Sequence, residues 1–163
     1  MFKEMRRKDK QLSTEEAMDI LQNGKYGLIS TVGEDGYPYG VPLFYIIMDG
    51  KVYFHKSIEG GHLADCLKCN SKISFTVIKP RKRIWHKSVI LFGTAMPVPE
   101  KRAEVLEKIV DKYVPWFVRK IAKIDIAPLK DKTEAYEIII EHITAKVIDQ
   151  PTRKMKNILT KKE

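Results

Sequence analysis

Three runs rich in β-branched and aromatic residues follow one another in residues 26–57, which read YGLISTVGEDGYPYGVPLFYIIMDGKVYFHKS. The runs are residues 26–32, 37–48 and 51–55. Asp35-Gly36 and Asp49-Gly50 separate them, and an Asp-Gly pair supplies the positive φ that a tight hairpin turn requires. The stretch therefore predicts three antiparallel strands.

Two prolines, Pro38 and Pro42, fall within the second run. Proline has no N–H to donate to a neighbouring strand, so it is confined to particular places in a sheet. The two positions predict a sheet edge, a bulge, or a place where a ligand takes the position of a neighbouring strand.

Two helices can be placed from their end signals and apolar spacing. Ser13 and Glu16 form a capping box that begins the first helix. Its predicted apolar face consists of Ala17, Ile20 and Leu21. A later helix begins at Pro99 and runs to about residue 114. Its predicted apolar face consists of Ala103, Leu106, Val110 and Tyr113.

The other predicted elements complete a small barrel. They are a helix at residues 61–69 and strands at residues 72–78, 88–98 and 136–148. Residues 116–132 give no clear prediction, because Pro115 and Pro128 break any single long helix. The expected fold is mainly β with helices, a six-stranded antiparallel β-barrel decorated by helices.

The composition describes one globular domain over residues 1–163. Of the 163 residues, 44% are hydrophobic and 31% charged, which suffices for a hydrophobic core. No apolar run reaches the ~18–20 residues of a membrane helix, and residues 1–12 lack the apolar centre of a secretory signal. The only cysteines, Cys66 and Cys69, do not make a disulfide scaffold. We expect a cytoplasmic protein without a membrane partner.

The charge balance is basic, with 30 Lys and Arg against 21 Asp and Glu and a net charge of +9. This excess predicts an anionic partner, either a small phosphate ligand or a polyanion. Much of it lies in residues 1–11 and 150–163, which we expect to be flexible basic tails. Neither tail interleaves aromatic with basic residues, as single-strand binding requires. Nucleic acid is therefore not the expected partner.

A candidate phosphate site follows the third run. The strand ends in His55-Lys56-Ser57, and a loop with Gly60-Gly61 leads into the helix that begins near His62. A helix N-terminus offers free N–H groups and a positive dipole end to an anion. Lys56, Ser57 and His62 can add charge-assisted hydrogen bonds. In isolation, an ordinary helix start explains the same residues.

The order of these motifs resembles the FMN-binding split-barrel family, which contains the pyridoxamine 5′-phosphate oxidases. The nearer likeness is to its nitroimidazole-resistance (Nim-type) branch, which shows an aliphatic-Pro-Leu strand, a YFH strand end, a Glu-Gly loop and an SVxxFG strand. The matching residues here are Val41-Pro42-Leu43, Tyr53-Phe54-His55, Glu59-Gly60 and Ser88-Val89-Ile90-Leu91-Phe92-Gly93. The resemblance spans residues 12–113, with a weaker match at residues 136–146.

The resemblance implies a homodimer that holds two FMN molecules at its subunit interface. Residues 40–43 would lie along the flavin ring and hydrogen-bond it through the main chain. Residues 55–57 would approach the ribityl chain and the phosphate, residues 61–63 would form the phosphate loop, and residues 88–89 would reach in from the partner subunit. The implied cofactor residues are Gly40, Val41, Pro42, Leu43, His55, Lys56, Ser57, Gly61, His62, Leu63, Ser88 and Val89.

The sequence departs from the family pattern at two places. The loop reads Glu59-Gly60-Gly61-His62-Leu63 where the family commonly has Glu-Gly-His-Lys. Either His62 takes the place of the usual cation or the loop is one residue longer. The chain also lacks the C-terminal Arg-x-His-x-Arg pattern that resembles substrate binding in true pyridoxamine-phosphate oxidases. We therefore do not expect that specific activity.

The implied function is that of an FMN-dependent oxidoreductase. Hydride would pass from NAD(P)H to FMN, and electrons would then pass to a small, electron-poor acceptor such as a nitroaromatic or a quinone. His55 is the catalytic candidate, because imidazole titrates near neutral pH and could orient or protonate an acceptor. Three other functions stay open: a flavin carrier without turnover, a haem protein with His55 or His62 as axial ligand, and a nucleic-acid-binding barrel.

The two tryptophans have a functional and a structural interpretation. Trp85 and Trp116 either stack on the flavin ring, since aromatic faces prefer offset stacking, or cap the barrel and bury a dimer seam. Trp85 is included among the candidate cofactor residues. His86 and His142 have no convergent partners in the sequence, and His142 is expected to face solvent or a polar seam.

The predicted helix at residues 61–69 carries three potential zinc ligands on one face. His62, Cys66 and Cys69 have the spacing i, i+4 and i+7. Leu63 and Leu67 share a face with Cys66, and a buried free cysteine behaves as a small hydrophobe. We expect core packing and no metal site.

Overall fold

The computed structural model describes residues 2–80 and 85–149, with the backbone alone at Trp85 and Asp149. The described residues form a single antiparallel sheet of seven strands in the order β2-β1-β5-β6-β7-β4-β3. The strands are β1 Gly27–Val32, β2 Pro38–Leu43, β3 Tyr45–Met48, β4 Lys51–Ser57, β5 Lys72–Pro80, β6 Trp85–Pro97 and β7 Thr133–Asp149. The helices are α1 Thr14–Asn23, α2 His62–Cys69, α3 Arg102–Tyr113 and α4 Arg119–Asp125. Short 3-10 turns occupy Lys8–Lys10, Pro99–Lys101 and Ala127–Lys132.

The predicted six strands become seven because the run at residues 37–48 divides at Phe44. β2 pairs with β1, with Leu43 opposite Gly27, whereas β3 pairs with β4, with Tyr45 opposite Phe54. The two edge strands of the sheet are thus consecutive in the chain. The sheet curls until its edges meet at Phe44, which confirms the split-barrel class predicted from the sequence.

The core lies inside the curled sheet and is closed by α1. The predicted capping box is present, since the Glu16 N–H donates to Ser13 Oγ and the Ser13 N–H donates to Glu16 Oε2, each over 3.2 Å. The predicted apolar face of α1 is buried against strand residues such as Phe75. The buried Tyr45 hydroxyl donates to the Leu21 carbonyl over 2.6 Å and ties α1 to β3. The buried α1 residues are Ala17, Ile20 and Leu21.

Helix α3 packs on the outer side of β3, β4 and β7. Its buried residues are Val105, Leu106, Ile109 and Val110. The predicted face of Ala103, Leu106, Val110 and Tyr113 was partly wrong, because Ala103 is exposed. The α-helix begins only at Arg102, after a 3-10 turn, so Ala103 lies in its first turn beyond the strands. Val105 and Ile109 make the contact with Ile46 and Tyr53 instead.

The two predicted tails have different outcomes. Residues 150–163 lie outside the described residues. The N-terminal segment makes contacts with the sheet: Gln11 forms a β-bridge with Lys146, and the Phe2 ring stacks on His142 at a centroid distance of 4.8 Å. The flexibility of residues 1–11 stays a prediction. Within residues 2–80 and 85–149, no helix is both long and apolar enough to cross a membrane.

Candidate cofactor-binding site

Strand β2 has one free edge. Among the described strands it pairs with β1 alone, with Pro38 opposite Val32 and Pro42 opposite Leu28. The edge position of the prolines, one of three predicted alternatives, is therefore confirmed. The N–H and C=O of alternate residues in such a strand point to the same edge. Proline is tolerated in a strand where its nitrogen faces away from the neighbouring strand. Gly40 lies two residues from both Pro38 and Pro42, so its N–H and C=O point the same way as theirs, to the free edge.

The side chains of β2 also alternate. Val41 and Leu43 pack against the core, whereas Gly40 and Pro42 are exposed. A Cβ added at Gly40 would meet the Leu28 and Ser30 side chains at 3.5 Å, which is ordinary van der Waals contact. The fold therefore does not require glycine at position 40, but its absent side chain leaves the backbone open to a flat ligand.

The junction from β4 to α2 presents free helix N–H groups. Gly60 and Gly61 have φ of +95° and +104°, and a Cβ at either would meet no atom within 4 Å. Gly61 is the N-cap of α2 and makes no side-chain capping bond. Ser57 Oγ accepts the Glu59 N–H over 3.1 Å, and no side chain among the described residues caps the start of α2. Such an uncapped helix start is suited to an anion.

His62 connects this helix start to β2. Its exposed imidazole lies against the Tyr39 ring in a T-shaped contact, with centroids 4.3 Å apart. Leu63, the next residue, packs against the core. The structure thus brings the predicted phosphate loop beside Tyr39, which directly precedes the predicted flavin residues 40–43.

Lys56 is not free at this junction. Its Nζ lies 2.6 Å from Glu134 Oε2 and 5.6 Å from the centroid of the Tyr136 ring, and its side chain is 10% exposed. The hydrogen bond from Lys56 lowers the pKa of Glu134. The lysine charge is therefore largely neutralised by a carboxylate, so His62 and the α2 amides are the groups with free hydrogen-bonding capacity for a phosphate.

His55 has the one buried side-chain nitrogen or oxygen without a hydrogen-bond partner among the described residues, its Nδ1. It lies on β4 opposite Ala135 of β7. Burial lowers the pKa of the imidazole, which favours its neutral form. A buried polar atom without a partner is uncommon in native structures, so His55 has unused capacity to bond a ligand.

The other predicted cofactor residues lie on β6. Ser88 is buried, opposite Ile78 of β5 and Lys146 of β7, and it lines a cleft of about 270 Å³ under Phe2. The Val89 side chain is fully buried in the core, so only its main chain remains for a cofactor contact. The Trp85 side chain lies outside the described residues. The roles assigned to these residues stay predictions.

The remaining aromatic and histidine candidates lie apart from β2. Trp116 is 79% exposed and contacts Phe117 in a T-shaped pair. His142 is half-buried under Phe2, rather than facing open solvent. Nothing in the described contacts brings Trp116 to the predicted flavin strand, so its stacking on a flavin stays a prediction.

The potential zinc ligands of α2 line one cleft of about 540 Å³ with the β1–β2 turn. Cys66 is buried and Cys69 exposed, and burial raises the pKa of the Cys66 thiol. In the described part of the chain no three His, Cys, Asp or Glu side chains come together closely enough to hold a metal ion. The burial of Cys66 and Leu67 confirms the predicted core packing.

Sequence reasoning missed a second cleft, of about 640 Å³, at the end of β2 that carries Pro42. Its floor comes from β1, β2 and β5, with Leu28 opposite Pro42 on one side and Thr76 on the other. Tyr26 forms one wall. No pattern within a single segment of the sequence predicts this cleft, because the cleft depends on the register of three strands.

The sequence model of the family described as pyridoxamine 5′-phosphate oxidase matches residues 13–147. The chain belongs to this family. The pyridoxamine 5′-phosphate oxidase match runs from the start of α1 almost to the end of β7, and it confirms the resemblance predicted from the motifs. Sequence comparison with curated proteins finds no significant match.

Solved structures share the fold. A conserved hypothetical protein from Mycobacterium tuberculosis has a TM-score of 0.75 at 18% identity, over 93% of this chain and 99% of that one. A candidate 5-nitroimidazole antibiotic resistance protein from Bacteroides thetaiotaomicron has a TM-score of 0.69 at 17% identity, over 84% of this chain and 86% of that one. The FAD and haem binding protein from Mycobacterium smegmatis has a TM-score of 0.67 at 19% identity, over 93% of this chain and 80% of that one. At these identities the likeness concerns the fold alone.

Proposed function

We propose that the protein binds FMN and acts as a cytoplasmic flavin-dependent oxidoreductase. The observation that carries the proposal is the contact between His62 and Tyr39, because it joins an uncapped helix start to the free edge of β2. One side offers donors to a phosphate and the other offers backbone groups to a flat ring. Family membership and the FAD-binding relative support a flavin, and FMN is the form proposed here.

The residues present fit such a cofactor. Gly60 and Gly61 leave open space where a side chain would stand, and Gly40 leaves the β2 backbone accessible. The α2 amides and His62 would hold the phosphate, which carries about −1.5 to −2 charges at neutral pH. The Gly40 N–H and C=O would hydrogen-bond the polar edge of the ring. His55 Nδ1 would supply one further hydrogen bond.

A bound flavin would supply the redox chemistry, and the chain would supply position and hydrogen bonds. For a nitroaromatic acceptor the overall reaction is NAD(P)H + H⁺ + Ar–NO₂ → NAD(P)⁺ + Ar–NO + H₂O. Two electrons and one proton come as hydride, and the second proton comes from water. The neutral His55 would orient the acceptor side of the site by hydrogen bonding rather than carry a positive charge, because its burial lowers its pKa.

We further propose that two copies of the chain assemble. Large apolar side chains remain on the outer face of the sheet, which is unusual for a monomer of this size. They include Leu28, Ile78, Phe92, Met96 and Ile139. A second copy would cover this face and bring Ser88 of β6 toward a shared cofactor, as the family resemblance implies.

The absorption spectrum of the purified protein tests the proposal. We expect flavin bands, release of FMN identified by its mass, and bleaching of the bands when NADH or NADPH is added under nitrogen. A colourless protein that binds no added FMN would overturn it. A flavin that stays oxidised with both nicotinamides would assign the chain to the carrier class instead of the reductases.

A haem protein is the second candidate function, because the unpaired His55 Nδ1 is also a possible axial ligand and one structural relative binds haem. A Soret band after addition of haemin, lost in His55→Ala, would favour it. The absence of a Soret band, together with the presence of flavin bands, would exclude the haem function.

A further inference from the structure

Helix α4 carries its apolar side chains on the side that faces away from the protein. Arg119 and Lys123, one turn apart, are directed to α3. The Arg119 Nε–H donates to the C-cap carbonyl of α3 over 2.9 Å, and Lys123 Nζ lies 2.9 Å from Asp111 Oδ1. Ile121 and Ile124 lie on the opposite side of the helix and are exposed. A solvated surface helix has the reverse arrangement, with its apolar side toward the core.

The segments on both sides of α4 add further exposed apolar side chains. Trp116 and Phe117 precede the helix, and their rings form a T-shaped contact at a centroid distance of 5.9 Å. Leu129 follows the helix in the 3-10 turn before β7. These side chains and the two isoleucines are between 48% and 79% exposed, and none of them lines the clefts described above. We call the following residues the α4 patch: Trp116, Phe117, Ile121, Ile124 and Leu129. Large apolar side chains exposed together mark an interaction site.

The residues around the α4 patch are mainly basic. Residues 115–132 contain five Lys and Arg against two Asp. Lys123 and Lys130 are paired with carboxylates of α3, the latter with Glu107 over 3.0 Å. Lys120 and Lys132 are exposed and make no ion pair with any residue that the structure describes. The surface therefore offers free cations beside its exposed aromatic and aliphatic side chains.

We propose that the α4 patch binds the surface of a membrane that contains anionic lipids. Trp116 and Phe117 enter the boundary between headgroups and acyl chains, where aromatic side chains are favoured, and Lys120 and Lys132 meet lipid phosphates. Apolar side chains flanked by lysines are typical of helices that lie in this boundary. The contact is peripheral and needs no spanning segment, so it revises the expectation of no membrane partner, which rested on the lack of a long apolar run. It is independent of flavin binding.

A second copy of the chain fits the α4 patch less well. The outer sheet face proposed above for assembly consists of strand residues such as Phe92 and Ile139, not of α4. If two α4 patches met about a twofold axis, the same surface of both copies would be in contact. Lys120 and Lys132 of each copy would then approach those of the other, and like charges across an interface oppose binding. An anionic surface attracts the same lysines.

Co-sedimentation of the full chain with lipid vesicles tests this proposal. Vesicles of phosphatidylcholine with an equal part of phosphatidylglycerol are compared with vesicles of phosphatidylcholine alone. The wild type should bind the anionic vesicles, and the double variant Trp116→Ser/Phe117→Ser should reduce the partition coefficient at least about tenfold, the effect of ~1.4 kcal/mol. Lys120→Gln should reduce it about fivefold on the anionic vesicles, the equivalent of ~1 kcal/mol per lysine near such a surface.

Tyr37→Ser and Lys25→Gln are the matched controls. Tyr37 is as exposed as the aromatic residues of the patch, and Lys25 is an exposed lysine outside the patch, also without an ion pair to any described residue. Both controls should leave the partition coefficient unchanged. Circular dichroism and the elution volume report folding and oligomeric state for every variant. If the double variant does not fold, tryptophan fluorescence decides: the emission should shift to the blue on anionic vesicles in the wild type, and less in Trp116→Phe.

Three results would overturn the proposal. They are no binding of the wild type to anionic vesicles, equal losses in the double variant and in Tyr37→Ser, and equal losses in Lys120→Gln and in Lys25→Gln. A wild type that does not bind vesicles, together with a double variant that converts a dimer into monomers, would assign the patch to a second copy of the chain. Vesicle binding by a chain that binds no FMN would support the proposal while the proposed function fails, since the α4 patch contains none of the residues proposed to hold FMN.

Discussion

The two ends of β2 differ in chemistry although they belong to one six-residue strand. At Tyr39 the strand meets His62 and the uncapped amides of α2, which are hydrogen-bond donors. At Pro42 it meets Leu28, Ile78 and Tyr26, which are apolar and partly exposed. A single edge strand thus has hydrogen-bond donors beside one end and apolar side chains beside the other, with Gly40 between them.

The largest expected effect comes from charge reversal at the polar end. His62→Glu should weaken FMN binding about 100-fold, because it removes a donor worth ~1.5–3 kcal/mol to a charged acceptor and adds repulsion. The affinity of the same variant for riboflavin, which lacks the phosphate, should fall less than threefold. Fluorescence titration of both ligands measures the effect. His86→Glu is the control, and equal losses for FMN and riboflavin would refute a phosphate contact at His62.

A second prediction separates the needs of the fold from those of the site along the β1–β2 pair. A Cβ at Gly27 would overlap the Phe75 ring in the core, whereas one at Gly40 meets only ordinary contacts. Gly27→Ala should lower the free energy of unfolding by about 1–3 kcal/mol, the usual cost of overpacking. Gly40→Ala should change the free energy of unfolding by less than about 0.5 kcal/mol and should weaken FMN binding. Urea denaturation checks both, and a stable Gly27→Ala would contradict this packing.

The Lys56–Glu134 pair gives a prediction of opposite sign. Glu134→Gln removes the carboxylate that holds Lys56 Nζ, and the released cation should strengthen FMN binding severalfold, about 1 kcal/mol. An unchanged or weaker affinity would mean that Lys56 does not face the cofactor. Lys51→Gln, which removes the lysine paired with Glu137 elsewhere on β7, is the matched control and should leave FMN binding unchanged.

The same pair predicts a pH dependence of stability. Because Lys56 lowers the pKa of Glu134 in the folded chain, the pair stabilises the protein above the ordinary glutamate pKa of ~4.3 and loses that contribution as the pH falls through the folded value. Glu134→Gln should therefore show a smaller loss of stability between neutral and acid pH. Parallel acid curves for wild type and variant would contradict this coupling.

The smallest effect is expected at Lys112, beside the apolar end. Burial lowers the pKa of Lys112 to about 8, with its Nζ 4.1 Å from the Tyr45 ring centroid. In the unfolded chain the lysine keeps this proton up to a pH of ~10.4. Between pH 8 and that value unfolding therefore takes up a proton, and the free energy of unfolding should rise from about pH 8 to 10. Lys112→Met should remove that rise in thermal unfolding curves. An identical rise in the variant would assign it to another group.

Local signals in the sequence predicted a large part of the fold. The capping box at Ser13, the Asp-Gly turns and the edge position of Pro38 and Pro42 all depend on residues close together in the chain, and each is confirmed. The division at Phe44 was not predicted, because an extended run continues through it. It becomes two strands only through pairing with different partners, β1 and β4.

The candidate site was predicted less completely, for a related reason. The motifs placed Gly61 and His62 at a helix start, and the structure shows that start beside Tyr39. The pairing of Lys56 with Glu134 depends on the register of β4 and β7, which are far apart in sequence. The apolar cleft depends in the same way on β1, β2 and β5. No residue pattern in one segment carries such information.

The most direct test of the central claim is an equilibrium titration of the flavin-free chain with FMN and with riboflavin, followed by flavin absorbance and fluorescence. We expect saturation at one FMN per chain and at least about tenfold weaker binding of riboflavin, since the phosphate would contribute charge-assisted bonds at α2. No saturable binding of FMN, or equal affinity for the two ligands, would contradict it.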